Sequence, residues 1–167
     1  MISLQPIIVD SNVLLEGFLK PASAGASLLR AANQGAVEFI LIANVLAELY
    51  YKSFDISQDR NVAGGIVASA MRLKNATLVP IDDGQAIVAG GFYLDSNFYQ
   101  DQNGRWVRKP MVDPNTKNNI KTLSLTDCLI LAVGATMTRS TVCTWDGVMR
   151  GTAGVNVKTP KEVLGIT

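Results

Sequence analysis

Four carboxylates interrupt otherwise apolar segments of this 167-residue chain, which contains no histidine. They are Asp10, Glu48, Asp127 and Asp146. A charged side chain is rarely buried without a partner, because its removal from water costs several kcal/mol. Few bases lie near these acids in the sequence, so the pattern favours a cation as their partner. An all-oxygen site of this kind suits Mg²⁺ or Mn²⁺.

The absence of histidine excludes several classes of enzyme and of metal site. A Ser-His-Asp triad and a Cys-His pair are impossible, as is a nuclease that moves protons between two histidines. Zinc bound by histidine is excluded, and Cys128 and Cys143 cannot supply a four-sulfur site. We expect both thiols to be buried as small apolar side chains. Proton or metal chemistry must therefore come from carboxylates, hydroxyls, lysine or the two thiols.

Each acid also has a simpler structural explanation. Asp10 can cap the helix that follows it, and Glu48 can form an ion pair with Lys52 one helical turn later. Asp127 can stabilise the N-terminus of a helix, and Asp146 can be an ordinary loop residue. Each explanation is adequate for a single residue, and only the joint pattern favours a metal site.

The length and composition indicate a single domain over residues 1–167. Hydrophobic residues make up 48% of the chain, and its net charge is +1. We find no pattern of a secretory leader, and the longest uncharged apolar run, residues 128–137, is about half a membrane span. We therefore expect a cytoplasmic protein without a membrane partner.

Short apolar segments alternate with helical ones along most of the chain. The predicted strands are residues 6–9, 39–42, 77–80, 141–144 and 155–157. The predicted helices include one capped by Asn44 that runs to about residue 54, one over 57–74, and one from Asp82 or Asp83 to about residue 94. This alternation predicts an α/β fold of three layers, α/β/α, with a central parallel sheet. Ligands bind beyond the carboxyl ends of such strands, where Asp10 and Asp146 lie.

Residues from about 95 to 121 break the alternation and form a predicted insertion. Asn103-Gly104 between aromatic-rich flanks predicts an inserted β-hairpin at about 97–112. Residues 105–121 hold five bases and one acid, so their net charge is +4 and the rest of the chain has −3. Positive charge is therefore concentrated in the insertion.

Four segments, in this order along the chain, resemble the motifs of the PIN domain, and the protein is similar in size to the single-domain VapC-type toxins of toxin–antitoxin pairs. The segments are Val9-Asp10-Ser11-Asn12, Val45-Leu46-Ala47-Glu48, Leu123-Ser124-Leu125-Thr126-Asp127 and Cys143-Thr144-Trp145-Asp146. The resemblance spans nearly the whole chain except the insertion. A second departure is Trp145, because the family more often has polar residues around its fourth acid.

The resemblance implies a PIN-like sheet with helices on both sides and an acidic pocket that binds one or two Mg²⁺ or Mn²⁺ ions. It implies that Asp10 and Asp127 are direct metal ligands and catalytic residues. Glu48 is expected to bind a metal or orient water, and Asp146 to complete a second site or act through water. The polar residues expected to line or brace this pocket are Asn12, Ser124 and Thr144.

The implied activity is that of an Mg²⁺- or Mn²⁺-dependent endoribonuclease, the toxin of a type II pair. Its partners would be a single-stranded or structured RNA substrate, a cognate antitoxin and a second copy in a homodimer. The insertion can contact RNA phosphates. The bases available for this are Arg105, Arg108, Lys109, Lys117 and Lys121. Phe98, Tyr99 and Trp106 can stack on unpaired bases, or they can pack on the domain beneath a solvated hairpin.

Two alternatives to an active nuclease remain open. The chain can be a catalytically silent PIN-like module that binds RNA or protein. It can also be a phosphoacceptor domain, which is less favoured because its one acidic pair, Asp82-Asp83, lies at a helix start. Metal titration separates the first alternative from the enzyme, and labelling with acetyl phosphate would reveal the second.

Overall fold

Five parallel strands form the central sheet of the protein. The structure is a computed structural model, and it describes residues 5–166. Its strands are β1 (Pro6–Val9), β2 (Glu38–Ile42), β3 (Ala76–Val79), β4 (Phe98–Gln100), β5 (Trp106–Arg108), β6 (Thr141–Cys143) and β7 (Val157–Lys158). The main sheet has the order β3-β2-β1-β6-β7, and β4 and β5 pair separately.

Helices connect and flank these strands, so the predicted α/β architecture is confirmed. They are α1 (Ser11–Leu19), α2 (Ala24–Asn33), α3 (Ala43–Ser57), α4 (Arg60–Met71), α5 (Asp83–Asn97), α6 (Leu125–Thr136) and α7 (Pro160–Leu164), with one turn of 3₁₀ helix at Met149–Gly151. Within residues 5–166, no helix has the length and apolar character needed to cross a membrane.

The middle of the sheet is the hydrophobic core of the protein. Ile8 on β1 pairs with Ile40 on β2 and with Val142 on β6, and all three side chains are buried. Burial on both faces of a parallel sheet explains why these strands are continuous apolar runs rather than alternating ones. From β1 the chain continues through β2 to β3 on one side of the sheet, and β6 then pairs with β1 on its other side. This reversal creates a crevice at the carboxyl ends of β1 and β6, where open sheets bind ligands.

Several predicted boundaries are wrong for identifiable reasons. Asn44 does not cap α3, because β2 runs directly into the helix and Ile42 takes the capping position. The helix predicted over 57–74 begins later, because Gln58 ends α3 in a left-handed conformation and the Asp59 carboxylate accepts the Asn61 N–H at 2.7 Å. The last strand pairs at Val157–Lys158 rather than over 155–157, and α5 extends to Asn97.

The inserted hairpin is confirmed, and it consists of β4 and β5. Tyr99 pairs with Val107 in the antiparallel register, and Gly104 in the turn has φ +75°. The buried Asn97 amide holds the two ends of the insertion together by donating to the carbonyls of Tyr93 and Leu123, each at 3.0 Å. The hairpin therefore projects from a fixed base.

Candidate metal centre

Asp10 is the first residue after β1 and lies at the crevice beside the end of β6. Its backbone N–H donates to the carbonyl of Cys143 at 3.0 Å, and the residue is only 2% exposed. Its Oδ2 accepts a 2.6 Å hydrogen bond from the Thr144 hydroxyl, and its Oδ1 accepts one from the Ser11 hydroxyl at 3.3 Å. Two hydroxyls therefore fix the orientation of a buried carboxylate.

Thr144 connects Asp10 to two further predicted site residues. Its hydroxyl oxygen accepts from the Asn12 amide at 3.2 Å and from the Asp146 backbone N–H at 2.9 Å. The side-chain Oδ1 of Asn12 in turn accepts the Trp145 backbone N–H at 3.3 Å. The loops after β1 and β6 are therefore tied together by side chains, and this brings Asp10, Asn12, Thr144 and Asp146 to one place.

Asp127 lies in the first turn of α6 and forms a reciprocal cap with Ser124. The Ser124 hydroxyl accepts the Asp127 N–H at 3.1 Å, and the Asp127 Oδ2 accepts the Ser124 N–H at 2.8 Å. The cap satisfies two backbone donors that a helix start leaves free. The same hydrogen bonds fix the orientation of the Asp127 carboxylate relative to α6.

Glu48 on α3 is held by Lys52 on the next turn of the same helix. The Lys52 ammonium lies 2.9 Å from Glu48 Oε1 and donates to the Ser11 hydroxyl at 3.0 Å. Glu48 Oε2 is buried and has no hydrogen-bond partner among residues 5–166. The second acid therefore has one oxygen in an ion pair and one oxygen free to accept a ligand.

Burial is the main cause that raises the pKa of Asp10 above its ordinary value of 3.8. The hydrogen bond from Thr144 and the charge of Lys52 lower this pKa, whereas repulsion by Asp127 and Glu48 raises it further. Asp10 therefore lies within the electrostatic reach of Asp127 and Glu48.

Burial likewise raises the pKa of Asp127. The hydrogen bonds with Ser124 lower this pKa, and repulsion by Asp146 and Glu48 adds to the increase. Repulsion thus links each of the four carboxylates to at least one other. We call this set, Asp10, Glu48, Asp127 and Asp146, the acid pocket.

The structure supports the simpler explanations for three of the four acids. Asp10 stands at the capping position of α1, but its side chain makes no capping hydrogen bond. Glu48 does form the ion pair with Lys52, and Asp127 does cap a helix. Asp146 Oδ1 accepts the Val148 N–H at 2.8 Å, as a loop residue does. Only Asp10 lacks a structural role of this kind.

The chemistry of the acid pocket fits a hard divalent cation. Its donors are carboxylate oxygens, their mutual repulsion is relieved by positive charge, and Glu48 Oε2 lacks a partner in the part of the chain described. No three acidic or thiol side chains within residues 5–166 are grouped to hold an ion as they stand. An ion held by one or two of these acids would complete its coordination with water.

The two cysteines are buried, as predicted, and they are poor metal ligands. Burial raises the pKa of Cys128 to about 11, and it raises the pKa of Cys143 as well. Both thiols keep their protons at neutral pH, whereas metals bind the thiolate. Oxygen atoms are therefore the metal ligands that this site offers.

A cleft with a volume of about 440 Å³ lies beside Asn12 and Lys52, which contact residues of the acid pocket or their partners. Its lining includes Asn12, Lys52, Ile56 and Trp145. The Trp145 indole N–H donates to Glu16 Oε2 at 2.9 Å, which holds the ring at the rim. The sequence pattern did not identify Glu16 or Ser11 as site residues, because the Glu16–Trp145 and Ser11–Lys52 contacts join residues that are far apart in the chain.

The five basic candidates of the insertion differ in their surroundings. Arg108 lines a second cleft, of about 410 Å³, together with Ser124 and Leu125 at the start of α6. The Lys109 ammonium donates to the carbonyls of Asp95 and Ser96, at 2.7 and 2.9 Å, and so serves the end of α5. The exposed bases are Arg105, Arg108, Lys117 and Lys121.

The aromatic residues of the insertion differ in whether they pack on the domain or are accessible to a ligand. The ring of Phe98 packs near Tyr93 with a centroid distance of 6.4 Å. Trp106 is 53% exposed, and Tyr99 is exposed as well. One ring therefore packs on the domain, and two are accessible to a ligand.

The raised pKa of Asp10 predicts the pH dependence of stability. The folded state holds the Asp10 proton more tightly than the unfolded chain, so folding stability is lost as pH rises from about 4 through the raised pKa. Asp10→Asn removes this loss. We expect the variant to gain stability relative to the wild type as pH increases, and to be the more stable protein at neutral pH without metal. Urea unfolding at several pH values measures the difference, and a difference that shrinks with rising pH would contradict it.

The fold of this protein is similar to that of several solved structures. No family model matches the sequence, and no curated protein matches it. The solved structure of VapBC2 from Rickettsia felis, bound to a promoter DNA fragment, matches with 13% identity and a TM-score of 0.59, over 92% of this chain and 98% of that chain. This chain has the PIN-like fold of the VapC toxins.

Two further VapC-like or toxin–antitoxin structures support the same fold. VapC20 of Mycobacterium tuberculosis, a toxin that cleaves the sarcin-ricin loop, is 17% identical with a TM-score of 0.56, and the match covers 90% of this chain and 98% of that chain. A toxin–antitoxin complex from Klebsiella pneumoniae is 16% identical with a TM-score of 0.55, over 92% and 97%. The PIN-like fold therefore extends over nearly all of this chain.

Proposed function

We propose that this protein is a metal-dependent endoribonuclease that hydrolyses phosphodiester bonds of RNA. The observation that carries the proposal is the acid pocket, which combines a buried Asp10 with three further acids at the switch point of a PIN-like sheet. Mg²⁺ or Mn²⁺ bound there would supply activation of water and neutralisation of charge on the phosphate oxygens. No imidazole is needed for such a reaction.

The residues of the pocket have different roles in this proposal. Asp10 and Asp127 would be the direct ligands of the ion, because burial and mutual repulsion make a cation their most favourable partner. Thr144 positions Asp10 through its 2.6 Å hydrogen bond, and Ser124 positions Asp127 through the helix cap. Asp146 would complete the site or act through water.

The test of this function is cleavage of a labelled single-stranded RNA by the purified protein. We expect cleavage with Mn²⁺ or Mg²⁺, and none in excess chelator. Cleavage that continues in the chelator would refute the metal dependence. Tight RNA binding without cleavage in excess metal would favour the silent module, an alternative supported by the present contacts of Glu48 and Asp127 with Lys52 and Ser124.

The insertion provides a candidate contact for the RNA backbone. Arg108 faces the cleft at the start of α6, close in the fold to the helix that carries Asp127. We propose that it contacts phosphate, whereas Lys109 serves α5. Accessible Trp106, which lies two residues before Arg108 on the same face of the hairpin, would stack on a base next to it.

Replacement of Arg108 by alanine tests this surface. We expect this variant to bind RNA more weakly. The slope of log K against log salt concentration should be smaller in magnitude by about 0.7, the value for one lost phosphate contact with a single strand. Arg72→Ala, at an exposed position outside the insertion, is the matched control and should bind like the wild type. Fluorescence anisotropy with Asp10→Asn as the background prevents cleavage during the measurement. Equal slopes for the two arginine variants would exclude Arg108 from the contact.

The physiological role we propose is that of a toxin restrained by an antitoxin. The support is the fold, since the matched structures include toxin–antitoxin complexes. A homodimer and a cytoplasmic location remain predictions from the sequence. Growth arrest on expression, relieved by Asp10→Asn and by co-expression of a neighbouring small gene product, would support the role, whereas normal growth with active enzyme would contradict it.

A further inference from the structure

The Lys52 ammonium reaches from α3 into the acid pocket. It contacts Glu48 Oε1 at 2.9 Å and donates to the Ser11 hydroxyl at 3.0 Å. The same hydroxyl donates to Asp10 Oδ1 at 3.3 Å. A continuous path of contacts therefore runs from Glu48 through Lys52 and Ser11 to Asp10.

This arrangement differs from an ion pair on a helix surface. Such a pair involves two residues of one helix and is exposed to water. Here the lysine also bonds Ser11, which is 41 positions away in the sequence, and the side chains of Lys52 and Glu48 are 35% and 26% exposed. The second oxygen of Glu48 is buried without a partner in the described part of the chain. The ammonium is thus fixed between α3, which carries Glu48, and the start of α1, which directly follows Asp10.

We propose that Lys52 is a built-in counter-cation that holds Glu48 and competes with a divalent ion for it. The proposal rests on the metal site of the proposed function and specifies how that site is filled. One divalent ion at Asp10 and Asp127 leaves the Glu48–Lys52 pair intact. A second ion at Glu48 would have to displace the ammonium or withstand its repulsion. Glu48 is therefore a positioning residue, and the pocket takes one ion.

Calorimetric titration with Mn²⁺ alone tests the proposal on the wild type and four variants. We expect the wild type to bind one ion. Lys52→Met removes the charge and keeps most of the aliphatic stem, so it should bind Mn²⁺ at least about tenfold more tightly or take up a second ion. Lys52→Arg keeps the charge and should behave like the wild type. Lys20→Met is the matched control, since Lys20 lines the same cleft but contacts none of the pocket acids within residues 5–166.

The fourth variant, Glu48→Gln with Lys52→Met, keeps the net charge of the pocket unchanged. We expect its affinity to lie within about threefold of that of the wild type, because Glu48 is not a ligand of the first ion. A loss of about tenfold or more would overturn the proposal, since direct ligation by Glu48 would explain it. Circular dichroism with and without Mn²⁺ verifies folding, and this charge-neutral variant gives an answer even if Lys52→Met does not fold.

Two failures can be told apart. Measurable and equal Mn²⁺ binding by the wild type and Lys52→Met overturns the role of Lys52 and leaves the proposed nuclease intact. No Mn²⁺ binding by any of the proteins overturns the metal chemistry of the proposed function and this proposal with it.

Discussion

Asp10→Asn and Asp127→Asn should each lower the rate of RNA cleavage by more than about 100-fold, while the protein stays folded. The loss should exceed the roughly 10–100-fold effect typical of residues outside the ligand shell, because each substitution removes a charged ligand. Without metal, Asp10→Asn should be more stable than the wild type and Asp127→Asn equally or more stable, since burial disfavours both charges in the folded state. Single-turnover cleavage and urea unfolding of the same preparations measure the two effects.

The control for this experiment is Asp83→Asn. Asp83 is exposed in the first turn of α5. This end of α5 contacts the C-terminal end of α6 through Gln85 and Thr136, whereas Asp127 lies at the N-terminal end of α6. The variant changes net charge by the same amount and should cleave like the wild type. Wild-type rates for both Asp10→Asn and Asp127→Asn would show that the acid pocket is not the catalytic centre.

Thr144→Val should produce the largest effect of any residue that does not ligate a metal. The hydroxyl donates to Asp10 at 2.6 Å and accepts from Asn12 and from the Asp146 N–H. Valine has nearly the same shape but leaves these groups without a partner. We expect a loss of about 1–3 kcal/mol in the free energy of unfolding and of about 10–100-fold in metal affinity.

Thr144→Ser separates the hydroxyl from the methyl group. The serine variant keeps the donor and should retain most of the metal affinity, although loss of a buried methyl lowers stability slightly. Equal metal affinity for Thr144→Val and the wild type would contradict the positioning role. Equal losses in the serine and valine variants would assign the effect to packing.

The sequence predicted those parts of the fold that depend on local patterns. Continuous apolar runs identified the buried parallel strands, and the position of Asp10 directly after such a run placed it at the carboxyl edge. Asn103-Gly104 identified the hairpin turn, whose glycine has the expected positive φ. These features are encoded within a few residues.

The errors and omissions arose where contacts are long-range or where two elements join directly. Asn44 looked like a helix cap, but the extended residue at the capping position is Ile42, the last residue of β2, so Asn44 lies inside α3. The bond between Thr144 and Asp10 spans 134 positions, and the bond between Lys52 and Ser11 spans 41. The spacing of Glu48 and Lys52 suggested an ion pair, but only the fold shows that it reaches Asp10 through Ser11.

The most direct test of the central claim is a titration of Mn²⁺ followed by electron paramagnetic resonance, which detects loss of the free-ion signal on binding. The wild type should bind the ion saturably at neutral pH. The double variant Asp10→Asn with Asp127→Asn should leave the free-ion signal unchanged, while Asp83→Asn should bind like the wild type. Equal binding by the double variant and the wild type would contradict the assignment of the acid pocket as the metal centre.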